Sequence, residues 1–342
     1  MRRAAILIVG IVIPAVLFYF LFQAYNAVFE PGVVVENTPY DLFVEEGTTL
    51  EDVYTQLYEA QVLIAPEALL LVGEKKGLTT VRSGHYLIEE GMSINGIINM
   101  FKAGLQEPVK VSFNAGEHLG DIAAQLSKQL MADSTSLYEA LAQPRQGWEG
   151  PMALGAYLPD TYEFYWNASP EQVADRIFQN TLLFWNEPRL SKAQELGLTP
   201  SQVGTLASVV MKESSHAEDR KMVAGLYLNR LELGMKLQSD PTVIFAINQL
   251  REGERIRRVL TKDLTLDHPY NTYVNTGLPP GPICVPEKQA LLAVLEAKDH
   301  TYLYMCANPD VPGTHAYAVG YNEHLRNRER WQQYLDARKI YR

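Results

Sequence analysis

The sequence predicts an α+β fold, with an N-terminal transmembrane helix, a small α/β subdomain and a larger mixed α+β domain. Three observations predict it. An apolar run opens the chain, a pattern of strand, glycine turn and helix recurs after it, and amphipathic helices with short strands follow from about residue 154. A chain of 342 residues with 47% hydrophobic residues is long enough for about two cores. We predict boundaries at 1–30, 31–150 and 151–342.

The first element is an apolar segment at 6–22, preceded by Arg2 and Arg3. Together with the alanines before it, the segment reaches the ~20 residues that span a bilayer. The next basic residue is Lys75, so the positive-inside rule predicts a single-pass cell (inner) membrane protein with a cytoplasmic N-terminus and an extracytoplasmic, periplasmic-side remainder. A cleaved signal peptide is the alternative, but bulky Tyr25 stands where such a cleavage site needs a small residue.

The second element is a short unit that recurs. The segment 46–53 is echoed by 90–97 and more loosely by 115–122, each with a glycine turn and a capping residue before an amphipathic helix. Over residues 41–106 this pattern resembles the LysM family of glycan-binding modules, which implies that the unit holds a sugar strand. An ordinary α+β packing domain is the alternative.

Composition excludes some functions. A net charge of −10 argues against nucleic acid as a partner, because phosphate binding requires clustered basic residues. Cys284 and Cys306 lack metal-ligand spacing and are either buried thiols or one disulfide. His315 and His324 also lack the spacing of a metal site, and we expect them to cap or brace the C-terminal helix. We predict no cofactor and no metal.

The larger domain carries a helix that begins at a capping box, Thr199 to Gln202, with proline at its first position. At helical periodicity, Glu213 falls on the same stripe as the apolar residues Val203, Leu206, Val209 and Val210. Further helices are predicted at about 170–187, 219–233, 286–298 and 320–338, with short strands within 302–318.

A carboxylate on an apolar face either finds a partner or stays protonated with a raised pKa. A raised pKa suits a general acid at neutral pH, which makes Glu213 the candidate catalytic residue. The alternatives are that Glu213 turns out to solvent or pairs with Arg220 or Arg230. Polar and aromatic segments rich in proline and glycine follow at 237–242, 270–273 and 276–282, and they are typical of loops that line a groove.

From the anchor to the end, the chain resembles the YceG-like endolytic murein transglycosylases. The resemblance rests on the segments 157–162, 207–213, 229–231, 234–244, 270–273 and 276–283. Met211 replaces a glutamate that is usual in the family, whereas Glu213 is retained, and Asp219 with Arg220 replaces a usual Glu-Arg pair.

The resemblance implies a membrane-anchored lytic transglycosylase that cleaves the MurNAc–GlcNAc bond of peptidoglycan and leaves 1,6-anhydroMurNAc ends. Glu213 would carry out both proton transfers. The expected partners are peptidoglycan glycan strands and peptidoglycan synthases. Alternatives are a muramidase, for which Asp240 is the second carboxylate, and a non-catalytic glycan-binding scaffold. The residues implied to hold the sugar are Gln238, Asp240, Thr242, Asn271, Thr272 and Tyr273.

Overall fold

A computed structural model describes residues 2–250, 256 and 258–338, which divide into two compact units. The first unit contains the described residues up to Val111, with Gln129–Ala132 and Glu163–Ser169. The second contains Ser112–Lys128, Asp133–Tyr162 and the described residues from Pro170 onward. This division differs from the predicted boundary at 150, because two helices before that residue pack on each other and on a helix of the second unit.

The described residues of the first unit form four α-helices, one antiparallel strand pair and most of a second two-stranded sheet. The antiparallel pair joins the strands at Tyr40–Val44 and Gly84–Ile88. In that pair Tyr40 lies opposite Ile88 and Val44 opposite Gly84. The order of elements is α1 (Arg2–Phe29), β1 (Tyr40–Val44), α2 (Leu50–Glu59), α3 (Glu67–Lys75), β2 (Gly84–Ile88), α4 (Ile94–Ala103) and β3 (Pro108–Ser112), whose last residue belongs to the second unit.

The recurring sequence pattern corresponds to two similar turns in this unit. Gly47 and Gly91 both have φ of +84°, a left-handed conformation that glycine adopts without strain. Each is followed by a helix N-cap: the Thr49 side chain accepts from the backbone N–H of Asp52, and Ser93 caps α4 in the same way. The turns that lead into α2 and α4 are thus ones that the sequence predicts, and the likeness to LysM modules stays a prediction.

Helix α1 is long enough and apolar enough to cross a membrane. Its window Val12–Phe29 has a mean hydropathy of 1.7 and is not buried within the protein. The helix ends at Phe29, next to the predicted boundary at residue 30.

The second unit is mainly helical. Proline at 170 begins α7, which ends at Phe184, so the single helix predicted at 170–187 is shorter and is followed by a separate helix. The order of elements is α5 (Leu119–Leu126), α6 (Ser134–Leu141), β4 (Thr161–Tyr165), of which the first two residues belong here, α7 (Pro170–Phe184), α8 (Glu187–Glu195), α9 (Pro200–Glu213), α10 (Ala217–Glu232), α11 (Asp240–Leu250), α12 (Lys288–Leu295), β5 (Tyr304–Ala307), β6 (His315–Ala318) and α13 (Tyr321–Ala337).

Helix α9 lies at the centre of this unit and packs against α8, α10, α11 and α12. Every residue from 203 to 210 is buried. The predicted capping box is confirmed: the backbone N–H of Thr199 donates to Gln202 Oε1 at 2.9 Å, and that of Gln202 donates to Thr199 Oγ1 at 3.2 Å. The helix is therefore fixed at its start by local bonds and along its length by packing.

The two cysteines are free thiols. Cys284 is buried, and its Sγ lies 3.7 Å from the carbonyl oxygen of Ser208 on α9. Burial raises the pKa of Cys284 to about 12, so this thiol stays protonated and behaves as a small apolar side chain.

Candidate active site

Glu213 is the last residue of α9 and lies where the buried stripe reaches the surface. Val203, Leu206, Val209 and Val210 are completely buried, Glu213 is half-buried, and Lys212 is exposed. The predicted stripe is confirmed. Rigid packing of the preceding three turns fixes the position of the carboxyl group.

One carboxyl oxygen of Glu213 is held by two hydroxyl groups. Tyr227 on α10 donates to Oε1 at 2.8 Å, and Ser239, just before α11, donates to the same atom at 2.5 Å. Both donors are buried. The other oxygen, Oε2, has no hydrogen-bond partner among the described residues and is not sealed from solvent. The carboxyl group is therefore anchored by one oxygen and open at the other.

Burial raises the pKa of Glu213, and the hydrogen bonds from Ser239 and Tyr227 and the imidazole of His315 oppose that rise without cancelling it. The negative charge of Asp240 adds to the rise. The protonated form is thus favoured at a pH where an exposed glutamate is ionised.

The alternative partners of Glu213 are engaged elsewhere. Arg220 Nε donates to the carbonyl oxygen of Ser214 at 2.7 Å. Arg230 donates to the carbonyl oxygens of Leu303 and Leu237, each at 2.7 Å. Neither arginine neutralises the glutamate through an ion pair.

Ser239 is held by two buried threonines. Its backbone N–H donates to Thr272 Oγ1 at 3.0 Å, and its carbonyl oxygen accepts from Thr242 Oγ1 at 2.7 Å. The two threonine hydroxyls lie 2.9 Å apart, and the backbone N–H of Gln238 donates to the carbonyl oxygen of Thr272 at 3.1 Å. Thr242 and Thr272 thus fasten the residues before α11 to the 270–273 segment.

Asn271 has a similar internal role. It is completely buried, its Nδ2 donates to the carbonyl oxygens of Leu264 and Leu266 at 3.1 and 2.8 Å, and its Oδ1 accepts from the backbone N–H of Tyr273. Among the six residues expected to hold sugar, Thr242, Asn271 and Thr272 therefore present no exposed surface, whereas Gln238, Asp240 and Tyr273 do.

Asp240 and Tyr273 form a pair at the surface beside Glu213. Tyr273 Oη donates to Asp240 Oδ1 at 2.6 Å, and burial together with this bond raises the pKa of Tyr273. Asp240 begins α11 with Pro241 next to it, so the 237–242 segment, which was interpreted as a loop, includes the first turn of a helix. Gln238, two residues earlier, has φ of +51°, which is uncommon for a residue other than glycine.

A second polar cluster lies at the start of α10. Asp219 accepts from the backbone N–H of His315 at 3.1 Å, from its Nδ1 at 2.8 Å and from Tyr317 Oη at 2.7 Å. Burial alone would raise the pKa of Asp219, but these hydrogen bonds and the imidazole lower it to about 2. His315 was expected to cap or brace the C-terminal helix, and the hydrogen bonds that its ring and backbone N–H make are with Asp219 on α10.

Sequence reasoning missed Tyr227, Ser239 and this cluster. Ser239 stands between two residues that were named, and its position before Asp-Pro is the usual signal for a helix start. Tyr227 has no local signal, because a buried tyrosine on an interior helix has the pattern of a core residue. Within the described residues, no group of three or more histidine, cysteine, aspartate or glutamate side chains is arranged to hold a metal.

A cleft of about 360 Å³ lies next to these residues, on the side of Lys212 and Pro241. The ion pair between Lys212 Nζ and Glu117 Oε1, 3.3 Å apart, lies at this cleft. A neighbouring groove of about 230 Å³ shares Glu117 and Phe245 with it. The neighbouring groove is also lined by aromatic and ring-bearing residues, among them His118, Tyr138, Tyr270, Pro151 and Pro282.

Comparison with known proteins adds a family. A family model described as the YceG-like family matches residues 42–330. The chain is 26% identical over 333 residues to an endolytic murein transglycosylase of Bacillus subtilis, covering 90% of this chain and 88% of that protein. It is also 26% identical over 318 residues to an endolytic murein transglycosylase of Streptococcus pneumoniae, covering 83% of this chain but only 57% of that protein, so it spans little more than half of the streptococcal relative.

A solved structure has a similar fold. The crystal structure of a YceG-like protein from Listeria monocytogenes superposes with a TM-score of 0.55 at 25% sequence identity. The match covers 84% of this chain and 98% of that one.

Proposed function

The chain belongs to the YceG-like family, and we propose that it is a membrane-anchored lytic transglycosylase that cleaves peptidoglycan glycan strands. The observation that carries the proposal is the state of Glu213. Its pKa is raised, one oxygen is held by two hydroxyl donors, and the other is open to a ligand. This is the arrangement that a general acid requires.

In the proposed reaction Glu213 first protonates the glycosidic oxygen between N-acetylmuramic acid and N-acetylglucosamine. The bond from muramic C1 to that oxygen breaks, and the departing sugar leaves as an alcohol. The carboxylate then takes the proton of the muramic C6 hydroxyl while O6 forms a bond to C1. The product is a 1,6-anhydro end, no water is consumed, and the acid is regenerated.

The two hydroxyl donors support the intermediate state of this cycle. Between the transfers Glu213 is a partly buried carboxylate, which is costly without hydrogen bonds. Ser239 and Tyr227 already point at Oε1, so no reorganisation is needed when the charge forms. Oε2 is then the atom that exchanges protons with the sugar.

We propose two kinds of role for the residues expected to hold the sugar. Gln238, Asp240 and Tyr273 are accessible and would contact the glycan, with Asp240 stabilising positive charge at C1. The others are buried and would act by holding Ser239 and the adjacent loop in place: Thr242, Asn271 and Thr272.

The location follows from α1. We propose that α1 is a retained anchor with the N-terminus in the cytoplasm, which places the rest of the first unit and the second unit outside the cell, on the side where peptidoglycan lies. The similar glycine turns that precede α2 and α4 support a LysM-like glycan-holding role for the first unit. Synthases that make new strands are the protein partners we expect.

Hydrolysis is the competing reaction. The charge of Asp240 is felt at Glu213, so a second carboxylate is available to activate a water molecule. A muramidase would leave reducing ends where a transglycosylase leaves anhydro ends, and the products therefore distinguish the two reactions.

The test is mass spectrometry of the muropeptides that the detergent-solubilised chain releases from purified peptidoglycan, with Glu213→Gln beside it. The control variant is Glu232→Gln, which makes the same change at the exposed end of α10. Anhydro ends made by the wild type and the control, and absent with Glu213→Gln, would support the proposal. Reducing ends would establish a hydrolase, and an active Glu213→Gln protein would remove Glu213 from the chemistry.

A further inference from the structure

One face of α11 leads from the candidate active site to the neighbouring groove. The helix begins directly after Ser239, whose hydroxyl donates to Glu213. Pro241 and Phe245 line the cleft beside that glutamate, and Phe245 also lines the groove of about 230 Å³ together with Gln249. Positions 241, 245 and 249 are four residues apart, so they lie on one helical stripe. The cleft and the groove therefore share a floor that runs away from Glu213.

This stripe is longer than one sugar ring. From Asp240 to Gln249 the helix advances by nine residues, which is roughly 13 Å. A glycan strand that is cut at Glu213 and follows the stripe reaches the groove with a sugar further along the same strand. The groove thus has the position of a distal subsite.

Hydrogen bonds fix one wall of the groove. Glu117 and His118 belong to this wall. Their backbone N–H groups donate to Asp121 Oδ2 at 2.8 and 3.0 Å. The residue before them, Gly116, accepts at its carbonyl oxygen from the backbone N–H of Val285 at 2.8 Å. The wall is therefore formed before any ligand binds.

Close packing fixes the rest of the groove. Pro151 and Pro282 both line it, and Gly281 lies so close to Pro151 that a Cβ atom there would collide with the proline carbonyl oxygen. On the floor, the rings of Phe245 and Tyr270 are 4.7 Å apart between centroids, and both side chains are almost completely buried. A rigid site loses little conformational freedom when a ligand binds, which favours affinity.

The lining of the groove suits a neutral sugar. Tyr138 on α6 is 48% exposed, and neither its hydroxyl nor the carboxamide of Gln249 is hydrogen-bonded to a described residue. An aromatic ring can cover the C–H face of a sugar, and hydroxyl and carboxamide groups match its hydroxyl and acetamido groups. No lysine or arginine is among the described residues that line the groove. The carboxylates of a peptide stem therefore find no cation there, so the sugar strand is the better match.

We propose that this groove is a distal sugar subsite, in which Tyr138 and Gln249 bind a sugar of the strand that Glu213 cuts. The inference rests on the proposed function and adds a length requirement to it, since strands that reach the groove bind more tightly than shorter ones. The sugar in the groove is remote from the reacting bond and is held equally in the ground state and the transition state. The gain therefore appears in KM and not in kcat.

The test measures KM and kcat of the full chain in detergent on glycan strands of graded length, with anhydro ends detected by mass spectrometry. For the wild type, KM falls as the strand lengthens and stops falling once the groove is filled. Tyr138→Ala removes this fall, so its KM on long strands is about five- to tenfold above the wild-type value. Its KM on the shortest strand that is cut, and its kcat at every length, stay near the wild-type values. Gln249→Ala changes KM in the same direction and serves as the second variant if Tyr138→Ala folds poorly.

The matched control is Tyr321→Ala, which removes a tyrosine of similar exposure, 53%, that does not line the groove. This control should keep the wild-type dependence on strand length. A wild-type KM that does not change with strand length would overturn the inference, and so would groove variants whose KM rises equally at all lengths or at none. A wild type that makes no anhydro ends at any strand length would instead overturn the proposed function.

Discussion

Ser239 provides the sharpest test of how the site tunes its acid. Ser239→Ala removes the 2.5 Å hydrogen bond to Glu213 Oε1 and leaves the backbone bonds to Thr242 and Thr272 intact. A hydrogen bond to a charged group contributes roughly 1.5–3 kcal/mol. Because the bond favours the carboxylate over the acid, its loss raises the pKa of Glu213 by about one to two units, which corresponds to about 10- to 150-fold in the ionisation equilibrium.

Two opposite changes in the pH profile follow from this shift. The alkaline limb of kcat moves to higher pH by about one to two units, since Glu213 holds its proton longer. The plateau falls by about 10- to 150-fold, since the carboxylate formed in the reaction has lost a donor. The assay is the release of anhydro-muropeptides from peptidoglycan between pH 4 and 10, with product identity checked by mass spectrometry.

Ser201→Ala is the matched control, because Ser201 is a buried serine near the start of α9, about three turns before Glu213, and its hydroxyl is paired among the described residues only with that of Thr199, at 3.1 Å. Tyr227→Phe should change the profile in the same direction as Ser239→Ala. Since both hydroxyls donate to one oxygen, the double variant should lose less than the sum of the single losses. If Ser239→Ala keeps both the wild-type limb and the wild-type plateau, the hydroxyl donors do not tune Glu213 and the reasoning fails.

The remaining predictions concern stability. Asp219 has a folded pKa of about 2 against an ordinary 3.8, so its stabilisation is fully present above pH ~4 and is lost as the pH falls toward 2. Asp219→Asn should therefore lower the free energy of unfolding by about 2–3 kcal/mol in urea titrations at pH 7, with the gap to the wild type narrowing at pH 3; an equal gap at both pH values would contradict the ionised state. Gly225→Ala on α10 should destabilise the protein by more than ~1 kcal/mol, because its methyl group would collide with the backbone carbonyl of Lys298. A methyl group added by Gly120→Ala on α5 would contact no other atom, so this variant should stabilise the protein by about 0.5 kcal/mol. If calorimetry finds the Gly225 variant more stable than the Gly120 variant, the close packing described at Gly225 is wrong.

Local signals in the sequence predict the helix that carries Glu213 well. The capping box and the apolar stripe of α9 depend on residues within three turns of one another, so periodicity and cap chemistry are enough to place them. The helix start at Asp240 was missed although it has proline in its first turn like α9, because the polar, proline-containing segment 237–242 was interpreted as a groove loop.

The contacts that set the chemistry depend on residues far apart in the chain. Tyr227 is 14 residues and Ser239 is 26 residues from Glu213, and His315 is 96 residues from Asp219. No periodicity relates such pairs, because tertiary packing of helices and of the β5–β6 hairpin brings them together. The same limit explains why buried Thr242 and Thr272 resembled sugar-binding residues, since a hydroxyl in the sequence does not show whether it faces the solvent or another hydroxyl.

The burial of α9 on all sides also determines which motions can displace the catalytic Glu213 at its end. Amide groups of a helix enclosed by four others exchange with solvent only through the largest cooperative opening of the unit. Surface loops that touch substrate can open and close on their own, at much lower free energy. Glu213 therefore shares the lifetime of the folded unit, so that chemical competence persists through loop motion and disappears in a single step with the fold.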